Sequence, residues 1–190
     1  MSNLALIALA GLERAENSPD LLTLARTGDR AAFEQLMRRH ERLVLATALR
    51  LLGNLPDAQD ASQEVFLKLY RGLRQVTSDN IAGWLYRVTV NVCHDMHRKA
   101  VAPASSPVLV AEGDPQHDLL ASERRELLLR SLRRLSEKER QALVLRDLEG
   151  LSTAEVARAM GTTEATVRSH IWKARLKVKE FVERSFRRRV

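Results

Sequence analysis

The sequence predicts an all-α chain built as two small helical domains joined by a flexible linker. Apolar residues recur at intervals of three and four through most of its length, and no stretch alternates with period two. One stretch, Ala100–Leu119, breaks that periodicity and gathers Pro103, Ser105, Ser106, Pro107, Gly113 and Pro115. Charge divides at the same place. Residues 121–190 hold 18 Lys/Arg and 10 Asp/Glu, a net of +8, whereas residues 1–120 hold 13 and 14, a net of −1. The boundaries expected from these shifts are a leader over 1–19, a first domain over 20–100, a linker over 101–120 and a second domain over 121–190.

The leader contains Leu4–Leu12, LALIALAGL, which has no basic residues before it and no convincing cleavage site after it. It reads as a weakly packed helix without an assigned role. The first long helix is expected over about Asp29–Leu52, with Phe33, Leu36, Met37, Leu43, Val44, Thr47 and Leu51 on its inner face. Gly53-Asn54-Leu55-Pro56 ends it. A second helix, about Asp57–Leu73, buries Ala61, Val65, Phe66, Leu69 and Leu73, and a polar loop over Gln75–Asn80 leads to a third, about Ile81–Lys99. The linker's roughly twenty residues can extend to at most about 65–70 Å.

Helices resume at Ala121 and run to Leu135, and a Ser136–Glu139 capping box then opens another to about Leu148. Leu151–Lys179 reads as a helix–turn–helix. Ser152 and Glu155 form a second capping box, Val156, Ala157 and Met160 face inward, and Gly161 can take the left-handed turn that ends the first helix. Thr162 or Thr163 can cap the next, whose Val167, Ile171, Ala174 and Val178 form an apolar stripe. Arg168, Ser169, His170, Lys173, Arg175, Lys177 and Lys179 occupy its other faces. A short capped helix under a longer basic one suits the DNA major groove. The Phe181–Val190 tail, with Arg187, Arg188 and Arg189, can extend that helix.

Several function classes are disfavoured. A single cysteine, Cys93, leaves no internal disulfide framework or Cys-rich zinc site and fits a reducing cytoplasm. No run reaches the roughly 18 apolar residues of a membrane span. Cys93, His94 and His97 lie close together, but no second ligand cluster accompanies them, so no metal and no cofactor is expected. There is no phosphate-binding glycine loop, nucleophile elbow or HExxH, and the carboxylates are scattered, so the chain is not expected to be an enzyme.

Two polar faces admit more than one account. Asp60, Gln63, Glu64, Lys68 and Arg71 fall opposite the second helix's apolar stripe. They form either a solvated surface with a Glu64–Lys68 pair or a docking face for a basic partner. On the third helix Trp84, Arg87, Asn91, His94 and Arg98 recur at 3, 4, 3 and 4, with Lys99 extending the basic end. An aromatic among cations and amides suits unpaired bases, which stack on the ring while cations hold phosphates; the alternative is that Trp84 belongs to the core.

DAQDASQEVFLKLYRGL (57–73) followed by WLYRVTVNVCHDMHRK (84–99) resembles region 2 of bacterial sigma-70-type factors. LRRLSEKERQALVLRDLEGLSTAEVARAMGTTEATVRSHIWKARLKVK (132–179) resembles their region 4. Having both regions and a short linker, the chain is similar to the extracytoplasmic-function (ECF) group of RNA polymerase sigma factors. The resemblance implies a transcription initiation subunit that binds core RNA polymerase through its β′ clamp and β flap. Such a subunit finds promoters through their −10 and −35 elements and helps melt the DNA in the cytoplasm, under the control of an anti-sigma protein. Carried over by position, Asp60, Gln63 and Glu64 match the clamp-docking helix. Asn80, Trp84, Arg87, Asn91, Arg98 and Lys99 match the −10 surface. Thr163, Thr166, Arg168, Ser169, His170, Trp172, Lys173 and Arg175 match the −35 surface. His170 and Trp172 are bulkier than the small or basic residues expected there, and Ala61-Ser62 replaces a more apolar pair. The competing reading is a stand-alone helix–turn–helix regulator whose N-terminal half senses or dimerises.

Overall fold

A computed structural model describes residues 19–76, 81–99 and 119–187, and every regular element among them is helical. The Leu4–Leu12 stretch, Asn80, the linker and the last residues of the Arg187–Arg189 tail lie outside the described residues. The N-terminal unit comprises α1 (Pro19–Arg26), α2 (Arg30–Leu52), α3 (Leu55–Gly72), a 3-10 turn (Leu73–Gln75) and α4 (Ile81–Lys99). The C-terminal unit comprises α5 (Leu119–Leu132), α6 (Glu137–Leu143), a single π turn (Val144–Leu148), α7 (Thr153–Met160) and α8 (Glu164–Arg187).

Capping chemistry sets most of the boundaries. Asp29 Oδ1 accepts from the amides of Ala31 and Ala32 at 2.9 and 3.1 Å and starts α2. Gly53, at φ 82°, ends it with an amide that bonds Leu49 O at 2.8 Å. α3 begins two residues before the expected Asp57. Asn54 Oδ1 accepts from Asp57 N at 2.9 Å, and Pro56 sits in the first turn, where its missing N–H costs nothing. The expected Ala121–Leu135 helix stops instead at Leu132, in a turn that leads to the Ser136 cap. α1 was not individually expected. Leu22 and Ala25 bury it, and Arg26 donates to the carbonyls of Leu73 (3.0 Å) and Val76, fastening it to the 3-10 turn that follows α3.

The N-terminal core is filled by Leu36, Val44, Leu51, Val65, Phe66, Leu69, Ile81 and Leu85. Ala48, Ala58 and Ala61 are fully buried between them, and their small side chains let α2 and α3 approach closely. The C-terminal core gathers Leu132, Val144, Leu145, Val156, Val167, Ile171 and Ala174. The two are continuous, since α2 packs against the π turn and α6, and α4 against α7. Full burial of one such aliphatic side chain stabilises by about 1.5–3 kcal/mol.

Two buried polar residues, His40 and Thr47, interrupt the apolar stripe of α2, and only His40 titrates. His40 is 1% exposed and neither ring nitrogen has a hydrogen-bond partner. Burial, and then the neighbouring Arg39 charge, hold its pKa below the ordinary 6.5. The unfolded chain therefore binds more protons than the folded one as pH falls below 6.5. Stability is full above that value and declines as pH drops toward the folded-state pKa. Urea unfolding at about pH 7.5 and about pH 5 should show a larger loss for the native chain than for His40→Leu. Equal losses would contradict the assignment.

Candidate functional site

Three surfaces carry the side chains singled out in the sequence. On α3, Ala61, Ser62, Val65, Phe66 and Leu69 turn inward, which leaves Asp60 and Gln63 exposed and Glu64 half-buried on the opposite side. Glu64 lies 3.8 Å from Lys68, too loose a pair to neutralise the face. Leu67, 48% exposed, lies in the same row as Asp60, Glu64 and Arg71 at helical spacing. This is an acidic surface with an uncovered aliphatic patch.

On α4 the inner face is Ile81, Leu85, Thr89, Val92 and Cys93, with Val88 and Met96 partly buried. Burial pushes the Cys93 thiol up to about 12, so it stays protonated. Trp84 is half-buried with its ring against Gly72, while Arg87, Asn91, Arg98 and Lys99 are exposed. His94, from the same row, meets the carboxylate of Glu137 at 2.5 Å. Gly83, Trp84 and Arg87 form one wall of a cleft whose other wall is Leu151, Glu155, Arg158 and Ala159.

The helix–turn–helix forms as its sequence dictates. Ser152 Oγ accepts from Glu155 N at 3.2 Å, and Glu155 Oε2 accepts from Ser152 N at 2.8 Å. Ser152 Oγ also donates to Glu155 Oε2 at 2.6 Å, and that bond, then the one from the Ser152 amide, hold the Glu155 carboxyl below its usual range. Gly161, at φ 62°, makes the turn. Thr163, not Thr162, caps α8, with Oγ1 accepting from Thr166 N at 3.2 Å and bonding the Thr166 hydroxyl at 2.9 Å. Val156, Ala157, Val167, Ile171 and Ala174 bury the joint, with Ala159 buried as well and Met160 only partly so.

The outward face of α8 carries Arg168, Ser169, Trp172 and Lys173 in the open, with His170 half-buried. Arg168 is held by Glu164 one turn earlier at 3.1 Å. Trp172 is 66% exposed, an unusual position for an indole in water. Arg175 makes two parallel bonds to Asp147, at 2.8 and 2.7 Å, and so braces α8 against the π turn. Lys177 is likewise engaged, with Nζ within 2.8 Å of both Glu139 oxygens.

No described helix is long and apolar enough to cross a membrane, and no group of three potential metal ligands occurs among the described residues. Residues that periodicity alone did not single out, Arg50, Tyr86, Arg133, Arg140 and Glu149, join the two units. Their partners lie 63 to 99 positions away in sequence, so no local pattern marks them.

Two family profiles match the chain: Sigma-70 region 2 over residues 36–102 and Sigma-70, region 4 over residues 125–178. The ECF RNA polymerase sigma factor SigM of Mycobacterium tuberculosis is 34% identical over 170 residues, covering 88% of this chain and 86% of that protein. The ECF RNA polymerase sigma-E factor of Escherichia coli is 32% identical over 183 residues, covering 88% and 95%. Among solved structures, CnrH in complex with the cytosolic domain of CnrY superposes with a TM-score of 0.64 at 26% identity, covering 89% of this chain and 97% of that one. The sigma factor RpoE of Bartonella quintana, solved with the anti-sigma factor NepR, shares the fold at a TM-score of 0.66 and 22% identity, covering 80% and 96%. Two sigma regions in order on one chain, with relatives aligned over most of their length, place this protein in the sigma-70 family of bacterial RNA polymerase sigma factors, in its ECF group.

Proposed function

We propose that this chain is a promoter-specificity subunit: it binds core RNA polymerase, directs it to −10 and −35 elements and assists strand opening, without catalytic residues of its own. The observation that carries this reading is the presence of both sigma regions on one chain, each with its own exposed polar surface. Asp60, Gln63 and Glu64 are assigned to the polymerase β′ clamp, since an exposed acidic helix face suits a basic partner. Trp84, Arg87, Asn91, Arg98 and Lys99, with Asn80, are assigned to the −10 strand, where a ring and cations hold unstacked bases.

Arg168, Ser169, His170, Trp172 and Lys173 are assigned to the −35 major groove, with Thr163 and Thr166 at the helix start near the phosphates. Within that set Arg175 acts through its Asp147 brace, as a positioning residue for α8. An anti-sigma protein and the β flap are proposed as further partners, and the site of action is the cytoplasm, beside polymerase. CnrH, the relative at 26% identity, is itself held by another protein's cytosolic domain.

Co-purification of the full chain with core polymerase tests the reading; a chain that never associates with core contradicts it. Arg168→Ala should leave that association intact. It should weaken −35 recognition by the holoenzyme by about 1–3 kcal/mol, the worth of a bidentate base contact. The measurement is binding to promoter duplexes with native and altered −35 elements, and equal loss on both would show a phosphate contact instead.

A further inference from the structure

α8 outgrows the helix–turn–helix. The region 4 match ends at residue 178, whereas the helix runs on to Arg187. Its buried row of Val167, Ile171 and Ala174 continues through partly buried Val178 to half-buried Phe181 and Ser185, at intervals of three and four. This extension lies beside α5, but the two helices do not close on each other, and a cleft of about 900 Å³ remains between them.

The cleft is walled by guanidinium and phenyl. Arg124 and Arg130 come from α5, Arg133 and Arg134 from the turn after it, and Phe181 and Phe186 from α8. Two carboxylates, Glu123 and Glu126, stand against the four guanidiniums, a net of +2. Glu126 is engaged by Arg130 at 2.9 Å, and Arg133 donates to the Gly53 carbonyl at 2.7 Å. Arg134 stands 5.7 Å over the Phe181 ring, and no carboxylate among the described residues pairs with it or with Arg124. Phe186 is 59% exposed, so the outer ring lies open to water.

Cations beside exposed rings fit an anionic strand whose bases stack on the rings while the guanidiniums hold phosphates. Phe181 and Phe186 are five positions apart, about 7.5 Å along the helix axis, too far for one base to cover both. The fit is therefore to a strand rather than a single nucleotide. Leu127 is the only aliphatic side chain in the cleft among the described residues, too little to receive the apolar face of a partner helix. Duplex DNA keeps its bases stacked within. The start of α8 is the part that reads it, and Arg168 lies thirteen positions before Phe181, about 20 Å away along the axis.

We propose that the α5–α8 cleft is a second nucleic-acid site that takes single-stranded RNA, with bases on Phe186 and Phe181 and phosphates on Arg124 and Arg134. The proposal rests on the reading of the chain as an initiation subunit. Opened promoter DNA is assigned to the Trp84 face, and the transcript is the other single strand that polymerase brings about. The cleft gives the subunit a hold on the product as well as on the template.

The test is fluorescence anisotropy of a labelled mixed-sequence RNA of about eight nucleotides titrated with the full chain. Phe186→Ala should weaken binding about 5- to 150-fold, the loss of one base–ring stack, and leave its salt dependence unchanged. Arg124→Ala should also weaken binding, and should flatten the slope of log K against log salt by about 0.7, one phosphate contact on a single strand. Phe186→Trp should restore binding, because any aromatic face can stack a base. Excess −35 duplex should leave the RNA bound.

RNA affinity that Phe186→Ala leaves unchanged overturns the proposal. Displacement of the RNA by the duplex does so too, since it puts the strand on the reading face of α8. Loss of core polymerase binding in Phe186→Ala with RNA affinity intact would assign the cleft to a protein partner instead. Failure of the initiation reading shows separately, as the expected RNA binding in a chain that gives no new transcription starts with core polymerase.

Discussion

Asp60→Ala with Glu64→Ala should reduce affinity for core RNA polymerase by about two to four orders of magnitude. A hydrogen bond to a charged group contributes about 1.5–3 kcal/mol, and two of them about 3–6 kcal/mol. Neither residue supports the fold. Asp60 is exposed, and Glu64 touches Lys68 only at 3.8 Å. Alanine is the best helix former, so α3 should persist and stability should change by no more than about 0.5 kcal/mol. Fluorescence titration of labelled chain with core polymerase, alongside urea unfolding, separates the two effects. Unchanged affinity would return this face to the alternative reading of a solvated charged surface.

Leu69→Ala should destabilise the N-terminal unit by about 2–5 kcal/mol, because it removes a fully buried side chain on α3 and leaves a cavity. Domains of this size are stable by only about 5–15 kcal/mol, so the variant should unfold at markedly lower urea. Leu176→Ala on α8 is the control: that side chain is 46% exposed, and its loss should shift stability by no more than about 0.5 kcal/mol. Similar losses from both variants would mean that the burial pattern is wrong. A destabilised N-terminal unit should also lower core binding through its folded fraction, an effect that low temperature relieves for Leu69→Ala but not for the Asp60/Glu64 pair.

What was legible in the sequence was what local chemistry dictates. The Ser152–Glu155 and Ser136–Glu139 capping boxes, the left-handed Gly161 and the buried stripe of Val167, Ile171 and Ala174 need only neighbours within a few residues. The inward row of α3 was legible for the same reason. The start of α3 was placed late, because Asn54 and Pro56 read as a breaker when they are a cap and a first-turn proline. α1 is too short for periodicity to announce, and Arg26 holds it to carbonyls about fifty positions away.

The candidate surfaces were legible as faces, but not in how their side chains are engaged. Spacing put Arg175 on the basic side of its helix and the family resemblance matched it to the −35 surface, but neither could show that its guanidinium is paired with Asp147, 28 positions earlier. His94 continued the Trp84–Arg87 row by spacing, yet it meets Glu137 from the other unit. Long-range pairing of charged side chains leaves no periodic trace, and that accounts for both cases and for the Arg50–Glu149–Tyr86 cluster.

The central claim is that this chain confers promoter choice on an enzyme it does not itself constitute. Transcription in vitro with purified chain and core polymerase tests it most directly, using genomic fragments as templates and mapping the start sites. The account predicts starts, absent with core alone, that share two conserved non-palindromic elements at a constant separation and vanish with Asp60→Ala/Glu64→Ala. No new starts with core, together with tight polymerase-independent binding to an inverted repeat, would contradict it.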